Sequence, residues 1–506
     1  MSENNTDKKD GIAYSEDHPE LYPTTIQSRL LTGRREILTT YSVITPENIK
    51  KVLSKALITH TENVRDIDYL WEYYKGDQPI LQRTKDVRSD INNKIVENHA
   101  DEIVSFKVGY AFGEPITYAA RAEDDCSDAI AELNDWNVEN DKSAQDMDLA
   151  TWMYVCGQGY KFVCPRLQLF SYEDEENETP YITEVIDPRE AFVVYYNGTV
   201  KKPVLGVKIV KRQSDDGLVT YNLYCCYTND GYYEIPQAEV ANILTLPTRI
   251  PHNLRGIPII EYPNNLARRG ALEAVIPLLD AINNLQSNRM DGIEEFVQSL
   301  LLFHNVDVDA KDVQLLSQLG AIKFKDVEPS MPGEVKYITA ELNQTGAQTF
   351  KDDLYASVLI IAGMPNRQMG ASSTSDNVGS VIYRDGWSAA ETKAKETEEY
   401  FRRSERNLLR IILRICRDTK PGFECHLSNI DIKFTRKAYE NLTAKANVLT
   451  MMLQNEKIAP RLAFVNSGMF TDPEAAYQES MQYYETNKSE GGSETGGQAN
   501  ANPPAN

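Results

Sequence analysis

Apolar positions recur along this chain with two different periods, and the places where one gives way to the other mark out its elements. Thr45-Pro46-Glu47 supplies a cap and a first-turn proline, and Ile49, Val52, Leu53 and Leu57 follow at helical spacing, predicting a helix to about Tyr74. A second helix is predicted from about Asp90 to Tyr110, carried by Ile95, Val96, Ala100, Ile103, Val104 and Phe106 and stopped by Gly113-Glu114-Pro115. Ile116 to Ala119 reads as a short strand, and helical spacing returns from Ser127 to about Val155. Between Gly157 and Tyr262 the period becomes two. Tyr181 to Val185, Ala191 to Tyr196, Gly206 to Val210 and Val219 to Tyr224 are β-branched and aromatic runs. Asn197-Gly198, Asp215-Asp216-Gly217 and Asn229-Asp230-Gly231 punctuate them as turns, so the region is a mostly antiparallel β unit.

From Arg269 to Phe303 the stripe Leu272, Val275, Leu279, Ile282, Leu285, Ile293, Phe296 and Leu300 fits one long helix, with Pro277 as a kink point. A compact insert follows: an extended Val306-Asp307-Val308, a short helix from Lys311 to Leu319, and strands Ala321 to Lys325 and Glu334 to Ile338 joined by Pro329-Ser330-Met331-Pro332-Gly333. Gln344 to Ala362 is again helical and ends at Gly363-Met364-Pro365. Asn366 to Asn377 is polar, rich in serine and without periodicity, which predicts an exposed flexible loop. A very long helix is then expected over Val378 to Asp418, followed by a β pair near Glu424 to Phe434 and helices over Tyr439–Asn455, Pro460–Asn466 and Pro473–Tyr484. Residues 1–22 read as a flexible arm and 487–506 as a disordered tail.

Composition narrows the function. No window approaches the ~20 apolar residues of a membrane span. The N-terminus, polar and mixed in charge, does not read as a secretory signal. Seven scattered cysteines without a C-x-x-C pair read as reduced core thiols. The net charge of −22 is opposite to that of a protein that holds DNA by neutralising phosphates; it does not exclude one that lets DNA slide past without holding it, and taken alone it supports only solubility. No P-loop, G-x-S-x-G elbow or H-E-x-x-H motif is present, so no catalytic residue, metal ligand or cofactor is assigned. Asp307-Val308-Asp309 with Asp312 lacks the glycine and glutamate of a calcium loop and reads as solvated turn residues. Lys393, Lys395, Arg402, Arg403 and Arg406 alternate with Glu391, Glu396, Glu398, Glu399 and Glu405, as on a salt-bridged helix face.

The order of elements, with several local strings, resembles the portal proteins of tailed double-stranded-DNA bacteriophages, in the branch found in long-tailed phages of Gram-positive hosts. The strings are Tyr73 to Leu81 (YYKGDQPIL), Asn92 to Val96 (NNKIV), Val108 to Ile116 (VGYAFGEPI), Asp280 to Asn284 with Asp291 to Phe296, and Gly363-Met364-Pro365 before a serine-rich stretch and a long helix. The post-loop helix departs from the family, opening on Asn377 to Arg384 where small residues and lysines are expected. The resemblance implies an α+β portal fold with a β-rich wing (23–268), a first stem helix (269–304), a clip (305–341) and a second stem helix (342–363). It further implies a tunnel loop (364–377), a long wing helix with a β pair (378–436) and a helical C-terminal crown (437–486).

It also implies a ring of probably twelve copies at one capsid vertex, located in the virion and in the host cytoplasm before assembly. The expected partners are terminase, scaffold and major capsid protein, head-completion and tail connector proteins, and double-stranded DNA without sequence preference; no membrane is involved. Asn366, Arg367, Gln368, Ser372, Ser373, Thr374 and Asn377 are the expected DNA-facing residues, offering one guanidinium and neutral hydrogen-bond groups that bind weakly. Lys323, Lys325 and Lys336 are the expected clip contacts. Two other classes fit the composition: an intracellular metal-dependent enzyme using Asp215, Asp216 and Asp230 of the β region, and a monomeric helical adaptor.

Overall fold

The computed structural model describes residues 26–86, 88–121, 126–166, 179–214, 219–242, 244–297, 300–304, 306–307, 325–326, 334–338, 344–366, 386–436, 442–455, 457–470 and 473–490. The N-terminal part carries α1 (Ile26–Leu31), β1 (Ile37–Thr39), α2 (Ile49–Lys75), α3 (His99–Phe112), β2 (Thr117–Ala120), α4 (Ser127–Glu139) and α5 (Lys142–Cys156). The β region follows as β3 (Gln158–Pro165), β4 (Tyr181–Ile186), β5 (Ala191–Tyr196), β6 (Lys202–Gln213), β7 (Thr220–Tyr227), β8 (Gly231–Pro236), β9 (Ile250–Pro251) and β10 (Ile259–Pro263). Then come α6 (Ile276–Val297), β11 (Leu300–His304), β12 (Val306–Asp307), β13 (Lys325–Asp326), β14 (Glu334–Ile338) and α7 (Gln344–Ala362). The chain finishes with α8 (Trp387–Thr419), β15 (Ile430–Lys433), α9 (Leu442–Leu453), α10 (Pro460–Ser467) and α11 (Pro473–Glu490).

The β region forms two sheets. Six strands run in the order β1-β5-β6-β7-β8-β9, antiparallel except for the β1/β5 edge, and three run β10-β3-β4. Alternation along β5 explains the layering. Phe192 and Val194 turn to one side and join Val52, Leu53 and Ala56 of α2, while Ala191 and Val193 turn to the other and meet Ile257 and Ile259 beside β10. The largest core lies between the β10-β3-β4 sheet and α3, α4, α5 and α8, with Phe112, Tyr262 and Phe401 packed ring against ring at its centre. β2 and β15, some three hundred residues apart in sequence, close this body as an antiparallel pair.

Two expected helices have other bounds in the structure. The helix expected from Arg269 begins at Ile276, so Pro277 sits in its first turn, where a missing N–H costs nothing, and produces no kink. That helix ends at Val297, and Leu300–His304 is strand because its backbone pairs with Glu334–Ile338. The helix expected from Asp90 begins at His99; the preceding residues are extended. The expected arm (1–22) and all but the first four residues of the expected tail lie outside the described residues, as does the insert helix over 311–319.

Candidate functional site

The part of the molecule that stands apart from the body is a helical hairpin. α6 and α7 pack along each other and are linked by Arg289 of α6, which donates from Nε to Gln344 Oε1 at 3.2 Å and from Nη1 to Gln348 Oε1 at 3.0 Å. Only Val358, Leu359 and Ala362, at its C-terminal end, are fully buried in α7, while Phe350, Ile360 and Ile361 stand exposed. Beyond the hairpin, β11 pairs with β14 and β12 with β13, in both cases antiparallel.

α6 is held to the body by a ladder. Asp291 Oδ1 accepts the backbone N–H of Asn93 at 2.8 Å, Ser287 Oγ that of Ile95 at 2.9 Å, and Asn283 Oδ1 that of Glu97 at 2.8 Å. Three alternate residues of an extended chain advance about 6.7 Å per step, and four helical residues advance about 6.0 Å, so side chains spaced i, i+4, i+8 can read alternate N–H groups. All three helix side chains are buried, as the burial of such polar groups requires when each is bonded. These ladder donors are also why residues 92–98 do not join α3: their N–H groups are already committed across the chain.

A second cluster joins both hairpin helices to the start of α3. His99 contacts Glu102 through Nδ1 at 2.7 Å and Glu97 through Nε2 at 3.1 Å, and its ring lies 4.6 Å from that of Tyr355 on α7. Tyr355 donates to Glu102 at 2.6 Å, and Lys351 of α7 pairs with Glu97 at 2.8 Å. Burial works against a charge on His99, but the two carboxylates outweigh it and hold its pKa above the ordinary histidine range.

The hairpin returns to the body at the foot of the polar loop. Gly363 takes φ +70° as the residue after α7, with Gly363 N–H to Ile360 O and Met364 N–H to Leu359 O, the two bonds of a glycine-terminated helix. Lys107 of α3 donates to the Ala362 carbonyl at 2.6 Å; burial, then neighbouring Lys393, push its amine down to about 8. Gly386, at φ +82°, starts α8, and a Cβ built there would lie 3.6 Å from Met364 O and 3.9 Å from Asn366 N. The two ends of segment 367–385 are therefore adjacent. Trp387 stacks near Phe106 and Tyr110, fixing the exit of that segment to the same helix that fixes its entry.

Of the residues expected to face DNA, Asn366 is buried at this foot, so it anchors the loop rather than reaching from it. Arg367, Gln368, Ser372, Ser373, Thr374 and Asn377 lie outside the described residues, as do Lys323 and the start expected for the long helix at Val378. Lys325 sits opposite Asp307 on the β12/β13 ribbon, and Lys336 opposite Leu302 on the β11/β14 ribbon. The two expected insert strands thus pair with the chain leaving α6 and not with each other.

Sequence reading missed the body's main polar feature. Glu405 of α8 is fully buried and accepts from Tyr118 at 2.7 Å and Tyr262 at 2.6 Å, with Lys142 Nζ at 2.9 Å. Lys142 also pairs with Asp146, which takes Lys161 at 2.7 Å. Burial alone would raise the Glu405 pKa; Lys142 and Lys161 reverse that and hold it below the usual carboxylate range. The network's groups satisfy one another in a closed core, so its role is structural. Asp230, expected as a metal ligand on the enzyme reading, pairs with Arg249 at 2.6 Å, and Asp215 and Asp216 lie outside the described residues. Among the described residues no three His, Cys, Asp or Glu side chains converge as metal ligands. All seven cysteines are buried and unbridged, and no described helix is long and apolar enough to cross a membrane.

A mixed α/β body carrying a helical hairpin that leads to short ribbons, with Met364 and Gly386 side by side at the hairpin's foot, is the architecture of the chain. The chain belongs to the phage portal proteins: the family model described as phage portal protein, SPP1 Gp6-like, matches residues 54–492. A search of curated proteins finds no match.

Proposed function

We propose that this chain is the ring subunit at one vertex of a tailed-phage capsid, the channel for genome packaging and ejection, in a long-tailed phage of a Gram-positive host. The observation that carries the proposal is the α6/α7 hairpin, held to the body by the Asn93–Glu97 ladder and the His99 cluster and leading, among the described residues, to short β ribbons. A rigid wall of this kind, repeated around an axis, lines a tunnel; Phe350, Ile360 and Ile361 of α7, exposed in one copy, find their cover in the next.

In this reading residues 23–268 with 378–436 form the wing, α6 and α7 the stem, 305–341 the clip, 364–377 the tunnel loop and 437–486 the crown. Twelve copies close the ring. The edges of the two-stranded ribbons, with Lys323, Lys325 and Lys336, offer strand pairing and positive charge first to the terminase and then to head-completion proteins. Scaffold and major capsid protein meet the wing. Arg367, Gln368, Ser372, Ser373, Thr374 and Asn377 touch the DNA backbone in passing, while Asn366 holds the loop's foot.

Deletion of Ser372 to Asp376 tests the loop's role, because the foot at Met364 and Gly386 is left whole. Such a chain should assemble normally and yield heads deficient in DNA; normally filled heads would refute the assignment.

A further inference from the structure

The charges of α8 look balanced in sequence, but the fold separates them. Glu398 and Glu405 turn inward, to Arg436 and to Lys142, so that the exposed side of the helix's second half carries mainly arginine, with Asp418 at its end. Arg403, Arg406, Arg410, Arg414 and Arg417 follow at steps of three and four residues, so they share one face, extending about 21 Å. Arg403, Arg410 and Arg417 are exposed, and none of the five has a carboxylate partner among the described residues. Their local contacts are neutral: Arg403 lies over the Tyr400 ring, Arg410 donates to Asn407, Arg414 to backbone carbonyls of Leu254 and Arg255, and Arg417 to Leu413 O. Burial, and then Arg417, Arg255 and Arg410, push the pKa of Arg414 down. An unneutralised stripe of this kind in a chain of net charge −22 calls for an anionic partner.

The same chain carries a counterpart. On α4, Asp128, Glu132, Asp135 and Glu139 recur at steps of four, three and four, opposite the face that buries Ile130, Leu133 and Trp136, and extend about 16 Å. Asp128, Asp135 and Glu139 are exposed, and only Glu132 is paired, with Lys420. The two stripes are opposite in sign and similar in pitch, about 21 Å against about 16 Å long, and each lies on its helix's outer face. A head-to-tail interface that closes into a ring needs two different, mutually complementary patches on one chain.

Resting on the ring reading above, we infer that the arginine face of α8 docks on the acidic face of α4 in the adjacent copy, and that this charge pairing sets the registry of ring closure. Arginine suits the role because its planar fork grips carboxylates in pairs of hydrogen bonds. Exposed pairs are individually weak, so the face acts by number and by rejecting wrong registers.

The test is charge reversal in the full chain, read as the concentration at which rings half-assemble, by light scattering and negative-stain microscopy. Arg403→Glu with Arg410→Glu should raise that concentration by about 10-fold or more, as should Asp135→Lys with Glu139→Lys, and combining the two sets should recover most of the loss. All four positions are exposed, so unchanged circular dichroism and melting temperature should confirm that each variant folds. Rings that form as before with the arginines reversed would overturn the inference and leave the ring reading intact. Unaltered assembly combined with lost binding to duplex DNA would overturn it in favour of a nucleic-acid face. An unaltered chain that never forms rings would remove the ring reading itself, and the inference with it.

Discussion

Glu405 shows how a single residue can be read correctly as charged and wrongly as surface. Its neighbours in sequence are Arg402, Arg403 and Arg406, yet its side chain is completely buried among Lys142, Tyr118 and Tyr262. Nothing in a single sequence announces that partnership, because Lys142 lies some 260 positions away and only the fold brings it near. Glu405→Ala would leave Lys142 with one carboxylate fewer and two tyrosine hydroxyls without an acceptor, and should cost about 3–5 kcal/mol in denaturant unfolding. Because the folded pKa of Glu405 is depressed, its contribution is fully present above the unfolded value near 4.5 and is lost as pH falls through the lower folded value. His99 has the opposite sign. Its raised folded pKa means that its contribution is complete below the unfolded value of 6.5 and fades as pH rises through the higher folded value. Amide exchange in α7 around Tyr355, corrected for intrinsic rates, should therefore be faster at alkaline pH than at mildly acidic pH, and His99→Gln should abolish the difference.

Elements were legible where periodicity and capping agreed. The β5 run, the end of α7 at Gly363 and the continuous helix through Arg402 to Arg417 all stand where the apolar pattern put them. The pattern failed where the backbone had another partner. Ile95 and Val96 are spaced acceptably for a helix, but Asn93, Ile95 and Glu97 give their N–H groups to α6, and Leu300–His304 gives its own to β14. Ser287→Ala should thus leave the Ile95 N–H buried without an acceptor, cost about 1–3 kcal/mol, and speed exchange at residues 93–97 before it affects the six-stranded sheet. The C-terminal helices carry a different message. Among the described residues α9, α10 and α11 bury only Ala463 and Phe464 as apolar side chains and leave Met451, Leu462, Val465 and Tyr483 exposed. Such a small unit cannot bury enough surface to be stable alone. Its amides should exchange rapidly in the isolated chain and gain protection on assembly, as measured by hydrogen exchange before and after ring formation.

At the scale of the whole molecule, the α+β class and membership of the portal family were legible from the order of elements, since the family model matches residues 54–492. The attachment of the stem to the body was not, because the ladder and the His99 cluster join residues about 190 to 250 positions apart through individually ordinary side chains. The inward turn of Glu398 and Glu405, which leaves Arg403, Arg410 and Arg417 exposed without them, likewise exists only once the helix is packed. The exposed apolar residues of α7, C-terminal helices with little core of their own and two charged faces of opposite sign are what the proposed ring subunit would bury against its neighbours. Native mass and negative-stain images of the purified chain, taken across concentration and salt, test this most directly. Closed rings with a central hole are the predicted result, whereas a species that keeps the single-chain mass of 57.2 kDa under every condition would contradict it.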